Sequence, residues 1–422
     1  MNKKFFKILA ATFFTTTILA GCNNTPASSS SIKPTISSST SSSSSTSSSS
    51  STSSSSTSTS TSSSMSSSSS STSSSSVPVD YFFNTYSNPM SITYTTGSDY
   101  RGEIADPSVV RGDDGYIYAF STDRVMLRSE DGCSFEYVTG NVIDTPDWYT
   151  DVYPEETGGF HLWAPDVVKI GDKWIYYYSL SAWSKPCGVG YAVSDNIAGP
   201  YEDYGKLFDI NEIGISNAID PQVFVDDDGS VYMSVGSFQG LYLVQLTEDG
   251  MGLLNGVNYQ RDNKVLIAGR PGGWDGSTYE GSYIIKRDGW YYYFGSAGTC
   301  CEGKNSSYRV YVGKSKNITG PYIDNNRKAL TASGSGTTNG SLVLWAGMRD
   351  DKNVYGPGHN SVLLDDAGDY WIYYHAFSSA DNYSTRHLFM DKLLWDDNGF
   401  PYIENRIPSF QEELDGPRFI LE

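Results

Sequence analysis

Hydrophobic and polar positions recur in the same order five times along the second part of the chain. Each unit begins with a short, mostly apolar run and continues through a turn rich in Asp and Gly. It then enters an aromatic run. The first runs are Ala105–Val110, Trp163–Val168, Ile219–Phe224, Tyr279–Ile284 and Gly358–Leu363. The aromatic runs are Tyr116–Phe120, Trp174–Tyr178, Val231–Ser234, Trp290–Phe294 and Tyr370–Tyr374. Such runs joined by Asp/Gly turns predict antiparallel hairpins.

The repeat also predicts how the hairpins assemble. Further strand-like runs follow each hairpin, and no long amphipathic helix pattern interrupts them. Residues 80–422 divide into five units of roughly 70 residues, enough for four strands and their loops. We therefore predict an all-β fold, a five-bladed β-propeller. A β-sandwich or a solenoid is the alternative, but neither explains why one spacing recurs.

That spacing joins a polar residue to a turn glycine. In four units a glycine follows a polar residue by nine positions: Asp106 and Gly115, Asp220 and Gly229, Glu280 and Gly289, His359 and Gly368. In the second unit Ala164 occupies this position. Equivalent positions on the innermost strands of a propeller face its axis, so we expect these four side chains to converge. Because gathered carboxylates cost desolvation and repulsion, a functional site explains them better than stability does.

Three crowded carboxylates suit one kind of chemistry especially well. Their pKa values are pushed apart, so that one stays protonated as an acid while another stays ionised and activates water. Glycoside hydrolysis uses such a pair. A Ca²⁺ site is the competing interpretation, because carboxylates, His and water can surround that ion. A water-filled polar channel without activity is the third.

Charge and composition exclude other functions. The chain has 422 residues and a net charge of −19, and residues 80–422 hold 25 basic and 48 acidic side chains. Such a negative surface repels phosphate backbones, which argues against nucleic-acid binding. It also disfavours docking on anionic lipid. We expect a monomer whose partner is a polysaccharide or an oligosaccharide.

The N-terminal segment predicts export. Residues 1–21 combine a Lys-containing start with an apolar stretch. Their last three residues and the following Cys22 read Leu19-Ala20-Gly21-Cys22, which resembles a bacterial lipobox. We therefore expect a signal peptide, lipidation of Cys22 and anchoring of a secreted protein to the cell envelope. Residues 22–79 are dominated by Ser and Thr and predict a disordered tether. The domain boundaries expected are 1–21, 22–79 and 80–422.

Four cysteines remain in the body, and their spacing does not predict zinc binding. Cys133, Cys187, Cys300 and Cys301 lack paired CxxC spacing. A bond between the adjacent Cys300 and Cys301 would be strained, so we expect buried free thiols. His375 has no partner that the sequence identifies.

The motifs in the five units resemble glycoside hydrolase family 43 of the arabinanase type. Asp106-Pro107 resembles the general-base motif, Ala218-Ile219-Asp220-Pro221 the motif of the pKa-modulating aspartate, and Tyr279-Glu280-Gly281-Ser282 the general-acid motif. Trp163-Ala164-Pro165-Asp166 resembles the second-blade signature, and Gly356–Ser361 the fifth-blade motif whose His359 lies near a central water or Ca²⁺.

The resemblance implies an inverting hydrolase without a cofactor for its chemistry. Asp106 would be the base, Glu280 the acid and Asp220 the residue that keeps Glu280 protonated. The segment Ser296–Cys301 and Asn217 resemble arabinan-cleaving members, so α-1,5-linked arabinofuranosyl bonds are the expected substrate.

Four further residues and several alternatives complete the prediction. Trp163, Asn217, His359 and Arg386 are the candidate substrate-binding residues, and His359 is also a candidate for a Ca²⁺ shell. The alternative functions are an exo-acting α-L-arabinofuranosidase, a β-xylosidase of the same family, and a non-catalytic carbohydrate-binding surface lipoprotein.

Overall fold

The computed structural model describes residues 81–94, 102–152, 161–181 and 187–420. The chain divides into two units, Met1–Ser74 and Ser75–Glu422, and every described residue belongs to the second. The predicted signal peptide, the tether and Cys22 lie outside the described residues. Within these ranges no helix combines the length and apolar character needed to span a bilayer.

Antiparallel strands form the five predicted blades, except that the outermost strand of blade 1, Ser91–Thr93, pairs in parallel with its neighbour. The described chain begins with β1 (Thr85–Tyr86), and blade 1 then contains β2 (Ser91–Thr93), β3 (Ser108–Arg111), β4 (Ile117–Ser121), β5 (Val125–Ser129) and β6 (Ser134–Thr139). Blade 2 contains β7 (Leu162–Ile170), β8 (Lys173–Leu180), β9 (Gly188–Ser194) and β10 (Glu202–Asp209). Blade 3 contains β11 (Gln222–Val225), β12 (Val231–Val235), β13 (Leu241–Gln245) and β14 (Val265–Ala268).

The last two blades follow the same plan. Blade 4 contains β15 (Glu280–Arg287), β16 (Trp290–Ala297), β17 (Arg309–Ser315) and β18 (Ser341–Leu344). Blade 5 contains β19 (Val354–Leu364), β20 (Tyr370–Ser378), β21 (Arg386–Trp395) and β22 (Pro401–Tyr402), and β23 (Leu414–Asp415) ends the strand order.

Helices occur only as short connections in the described chain. The α-helices are α1 (Tyr149–Val152), α2 (Ile210–Ile213) and α3 (Val257–Asn263). Short 3₁₀ turns lie at Thr122–Arg124, Gly303–Asn305, Leu330–Ala332, Ala346–Met348, Ser379–Asp381 and Glu404–Arg406.

Hydrophobic clusters between neighbouring blades close the ring. Each of five clusters combines residues from two consecutive blades, and one of them joins blade 5 to blade 1. In that cluster Trp371 and Tyr373 of blade 5 pack with Val109 and Leu127 of blade 1. The two ends of the domain are also tied together, because β1 pairs with β23 and Phe82 bridges to Phe419.

Hydrogen bonds around the axis link every blade to the next. One side chain, at an equivalent position in each innermost strand, forms a hydrogen bond with the backbone of the following blade. The pairs are Ser108–Val167 at 3.1 Å, Asp166–Val223 at 2.7 Å, Gln222–Ile284 at 3.0 Å, Tyr283–Val362 at 3.4 Å and Ser361–Val109 at 3.1 Å. This ring fixes the register of the five innermost strands and therefore the positions of the residues at their starts.

The propeller has two faces, which the meander makes easy to assign. Successive connections alternate between the faces, so the starts of the innermost strands share one face with the β12–β13, β14–β15, β16–β17 and β20–β21 connections. The turns after β3 and β13, including α3, lie on the opposite face. A cavity of about 330 Å³, lined by Val109, Asp166, Val223, Tyr283 and Val362 among others, surrounds the axis beyond the ring of hydrogen bonds.

Candidate active site

A left-handed backbone position recurs along the innermost strand of every blade, just before β3 and β11 and within β7, β15 and β19. The residues are Asp106 (φ 54°), Ala164 (φ 42°), Asp220 (φ 58°), Gly281 (φ 56°) and His359 (φ 49°). Non-glycine residues avoid this region, at a cost of about 1–3 kcal/mol each, and such strain concentrates at functional sites. Its recurrence at five equivalent places makes this face the candidate site.

The five backbone N–H groups at these positions are all bonded to side chains of the preceding blade. Asp106 donates to His375 Nδ1 (3.1 Å), Ala164 to Thr122 Oγ1 (3.0 Å), Asp220 to Ser179 Oγ (2.9 Å), Gly281 to Asp220 Oδ2 (3.2 Å) and His359 to Ser296 Oγ (2.8 Å). The left-handed turns are therefore held by contacts between blades.

This pattern corrects the predicted register of blade 4. The turn-glycine spacing equated Glu280 with Asp106, Asp220 and His359, but the equivalent residue is Gly281. The reason is the hairpin length: two residues separate the paired Arg287 and Trp290, whereas five separate Arg111 and Ile117. Glu280 therefore stands one residue earlier, and its side chain still reaches the same site.

Asp106 lies among several polar side chains. Thr122 Oγ1 donates to its Oδ2 at 2.6 Å, and its Oδ1 lies 3.2 Å from both His359 Nδ1 and His375 Nδ1. Arg386 Nη1 is 3.6 Å from the same oxygen. Burial alone would raise the pKa of Asp106, but His359, Arg386 and His375 outweigh it and hold that pKa well below its usual range. Asp106 is therefore an ionised carboxylate.

Arg386 is fixed by a second carboxylate. Its Nε and Nη2 donate to the two oxygens of Glu103 at 2.7 and 2.8 Å, a bidentate pair. The side chain is only 11% exposed. The sequence predicted Arg386 to bind substrate. The structure shows an ion pair in which Arg386 is largely buried and Glu103 is 40% exposed, with Arg386 also facing Asp106.

Glu280 and Asp220 form the opposite electrostatic environment. Both are buried, and Ser237 Oγ donates to Glu280 Oε2 at 2.8 Å. Burial chiefly, with the negative charge of Asp106, raises the pKa of Glu280 to about 7, although Tyr308 and Ser237 counteract it. Burial, Glu280 and Asp106 also raise the pKa of Asp220. These two carboxyls therefore titrate as a pair and retain a proton near neutral pH.

The Tyr308 hydroxyl adds a polar group beside this pair. It influences the pKa of Glu280, yet it has no partner in hydrogen-bonding geometry and is fully buried. The hydroxyl lies near Glu280 but is not aligned for a hydrogen bond with it. The Tyr308 ring stacks on His375 with centroids 5.7 Å apart, which connects the surroundings of Glu280 with those of Asp106.

The two remaining substrate-binding candidates lie on the same face. Trp163 is half-buried at the start of β7 and pairs with Ser179 of β8. Asn217 donates to the backbone carbonyl of Ser237 at 3.3 Å and so contacts the residue that bonds Glu280. The structure thus brings Asp106, Asp220, Glu280, His359 and Arg386 together, with Trp163 in β7 and Asn217 in the β10–β11 connection on the same face.

His359 is a weak candidate for holding Ca²⁺. Its Nδ1 contacts Asp106, and burial chiefly lowers the pKa of His359 to about 4, so the ring is neutral. In the described chain no three His, Cys, Asp or Glu side chains are grouped to hold a metal. Ca²⁺ takes six to eight oxygen ligands, whereas the Asp106 oxygens are already engaged by Thr122, Arg386 and the two histidines. The protein groups at the axis do not fit this ion.

Sequence reasoning missed several residues of the site. Glu103, Thr122, Ser237, Tyr308 and His375 all contact or influence the central carboxylates. One signal was available: a hydroxyl-bearing residue recurs near the end of the second strand in three blades, at Thr122, Ser179 and Ser296, and each bonds the next blade.

The expectation for the cysteines was wrong in part. Cys133 and Cys187 are buried free thiols, as predicted, but Cys300 and Cys301 form a disulfide. This pair lies in the β16–β17 connection, outside a strand, with Cys301 exposed. Because Cys300 and Cys301 lie outside a strand, their side chains are not directed to opposite faces of a pleated sheet. Cys301 Sγ is 3.7 Å from Arg386 Nη1, so the disulfide lies beside the site.

Comparison with known proteins agrees with this fold. The model of the glycosyl hydrolases family 43 matches residues 100–401. An extracellular exo-α-(1→5)-L-arabinofuranosidase of Cellvibrio japonicus is 32% identical over 72% of this chain and 87% of its own length. The extracellular endo-α-(1→5)-L-arabinanase 1 of Bacillus subtilis is 29% identical over 71% of this chain and 87% of its own.

A solved structure extends the likeness to three dimensions. The α-L-arabinanase of Cellvibrio cellulosa complexed with arabinohexaose superposes with a TM-score of 0.62 at 31% identity. The match covers 72% of this chain and 96% of that one. A five-bladed propeller carrying an ionised carboxylate beside a protonated pair defines a glycoside hydrolase. The chain belongs to glycoside hydrolase family 43.

Proposed function

We propose that this enzyme hydrolyses α-1,5-linked L-arabinofuranosyl bonds in arabinan or arabino-oligosaccharides with inversion. The observation that carries the proposal is the contrast between two carboxyls at one site. The pKa of Asp106 is held low while the pKa of Glu280 is raised to about 7. Such a contrast is what a base and an acid acting in one step require. The relatives named above support arabinan as the substrate.

The proposed reaction is a single displacement. Asp106 accepts a proton from a water molecule as the water oxygen bonds to the anomeric carbon. The bond from that carbon to the glycosidic oxygen breaks, and Glu280 gives its proton to the departing oxygen. Asp106 is then protonated and Glu280 ionised, and exchange with solvent restores both. No cofactor takes part in these steps.

The neighbours of the two carboxyls have supporting roles in this proposal. Asp220 influences whether Glu280 is protonated, since the two carboxyls titrate as a pair. Arg386, His359 and His375 keep Asp106 ionised and oriented. Trp163 of β7 and Asn217 of the β10–β11 connection contact the sugar, together with Arg386 and His359.

Location and anchoring form a further part of the proposal. The relatives named extracellular support secretion, and the lipobox-like Leu19–Cys22 supports an acyl anchor at Cys22. The Ser/Thr-rich residues 22–79 would then hold a monomeric domain, residues 80–422, away from the cell envelope.

A product profile tests the function. The enzyme is incubated with linear α-1,5-arabinan, arabino-oligosaccharides and xylo-oligosaccharides, and the products are separated by size. A ladder of short arabino-oligosaccharides indicates endo action. Arabinose alone indicates the exo activity that the Cellvibrio japonicus relative's name carries. Release of xylose would indicate a β-xylosidase in place of an arabinan-cleaving enzyme. Binding without cleavage would favour a non-catalytic carbohydrate-binding protein.

A further inference from the structure

A tryptophan is exposed on the same face as the candidate site. Trp274 has 58% of its surface exposed. It lies in the β14–β15 connection between blades 3 and 4, among Gly272, Gly273 and Gly276, around which nearby space is open. Its ring packs on Phe238 with the centroids 4.1 Å apart and the planes at 47°. Phe238 therefore packs against one side of the indole, while much of the Trp274 side chain is exposed to solvent.

The Phe238 side chain, on which Trp274 packs, connects this tryptophan with the surroundings of Glu280. Phe238 is buried, and its backbone N–H donates to the carbonyl of Tyr279, the residue before Glu280, at 2.7 Å. Ser237, which precedes Phe238 in sequence, donates from its Oγ to the Glu280 carboxyl at 2.8 Å. Phe238 is thus the single residue between Trp274 and both Ser237, which bonds the Glu280 carboxyl, and Tyr279, which precedes Glu280 in sequence.

The connection that carries Trp274 is held in place by its own polar contacts. Asp275 accepts from Arg270 Nη2 at 2.9 Å and from the backbone of Ser335 at 2.7 Å. The carbonyl of Gly276 accepts from the N–H of Gly298 at 3.1 Å. The exposed ring is therefore presented by an anchored connection.

We infer that Trp274 forms a sugar-binding subsite on the leaving-group side of the scissile bond. The inference rests on the proposed function, because it takes Glu280 as the acid beside the departing oxygen. Glu280 belongs to blade 4 and Asp106 to blade 1, so the sugar chain lies between them. Trp274 lies on the Glu280 side, at the boundary of blades 3 and 4, where the departing part of the chain extends. An aromatic ring suits the apolar face of a sugar there.

The test compares substrates of different length in the full chain. Trp274→Ala should raise KM for arabinohexaose about 3- to 10-fold with kcat unchanged, a change of about 0.7–1.4 kcal/mol. KM for arabinobiose should stay within twofold, because a disaccharide occupies fewer leaving-group subsites than a hexasaccharide. Trp274→Phe should restore most of the affinity. Tyr259→Ala is the matched control: Tyr259 is 48% exposed, on α3 at the opposite face.

Binding in an inactive background gives a second readout. With Glu280→Gln present, titration calorimetry should show the same weakening for arabinohexaose when Trp274→Ala is added. An unchanged KM and dissociation constant, with arabinohexaose still cleaved by the parent enzyme, would overturn the subsite and leave the proposed function intact. Failure of the parent enzyme to cleave any arabino-oligosaccharide would overturn both.

Discussion

The protonation of Glu280 gives the sharpest prediction. The pKa of this carboxyl is raised from 4.5 to about 7, mainly by burial, which corresponds to about 3 kcal/mol in favour of the neutral form. Activity that depends on the neutral acid should therefore be constant below pH 6. It should halve near pH 7 and fall about tenfold for each further unit. The low pKa of Asp106 places the acidic limb below about pH 4.

Glu280→Gln removes the proton donor but keeps the shape of the side chain. We expect kcat/KM on linear arabinan to fall by about 10²–10⁴, equivalent to about 3–5 kcal/mol of transition-state stabilisation. The alkaline limb near pH 7 should disappear. On an aryl arabinofuranoside with a good leaving group, which needs little protonation, the loss should be much smaller.

The assay measures initial rates of reducing-end release from pH 4 to 9 for both proteins. Glu248→Gln is the matched control, since Glu248 is exposed in the β13–β14 connection on the opposite face. A Glu280→Gln enzyme that keeps the parent rate and the limb near pH 7 would refute the reasoning.

Three other substitutions test the surroundings of the site. Arg386→Met removes a positive charge that lowers the pKa of Asp106, so the acidic limb of kcat/KM should move to higher pH; an unmoved limb would contradict this. Gly281→Ala would place a methyl group 2.9 Å from His359 Cγ at a positive φ, so thermal unfolding should show a loss of about 1–3 kcal/mol. Burial raises the pKa of Asp166 to about 6, so the contribution of Asp166 to wild-type stability should fall by about 3 kcal/mol as pH rises from 4 to 6. Asp166→Asn should reduce that fall, and an identical pH dependence in denaturant titrations would refute it.

The fold was predictable because its signal is local and repeated. A run of apolar residues, an Asp/Gly turn and an aromatic strand specify a hairpin wherever they occur, and five copies specify the ring. The repeat also located Asp106, Asp220 and His359. It failed by one residue at Glu280, because the turn at Asp288-Gly289 is shorter than the turns of blades 1, 3 and 5, on which the spacing was based.

The rest of the site depends on contacts between distant segments. His375 lies 269 residues from Asp106 in sequence and Arg386 lies 283 residues from Glu103, and both pairs form only when blade 5 closes against blade 1. No spacing within one unit predicts such pairs. The adjacent cysteines were misjudged for a related reason, since their state depends on whether they lie in a strand or a turn.

The most direct test of the proposed mechanism is the configuration of the first sugar released. Proton NMR would follow the anomeric signals as the enzyme cleaves arabinohexaose, before mutarotation mixes the anomers. If Asp106 activates a water opposite the bond that Glu280 protonates, the new reducing end of an α-linked chain appears first as the β-anomer. First appearance of the α-anomer, or no bond cleavage at all, would contradict the mechanism.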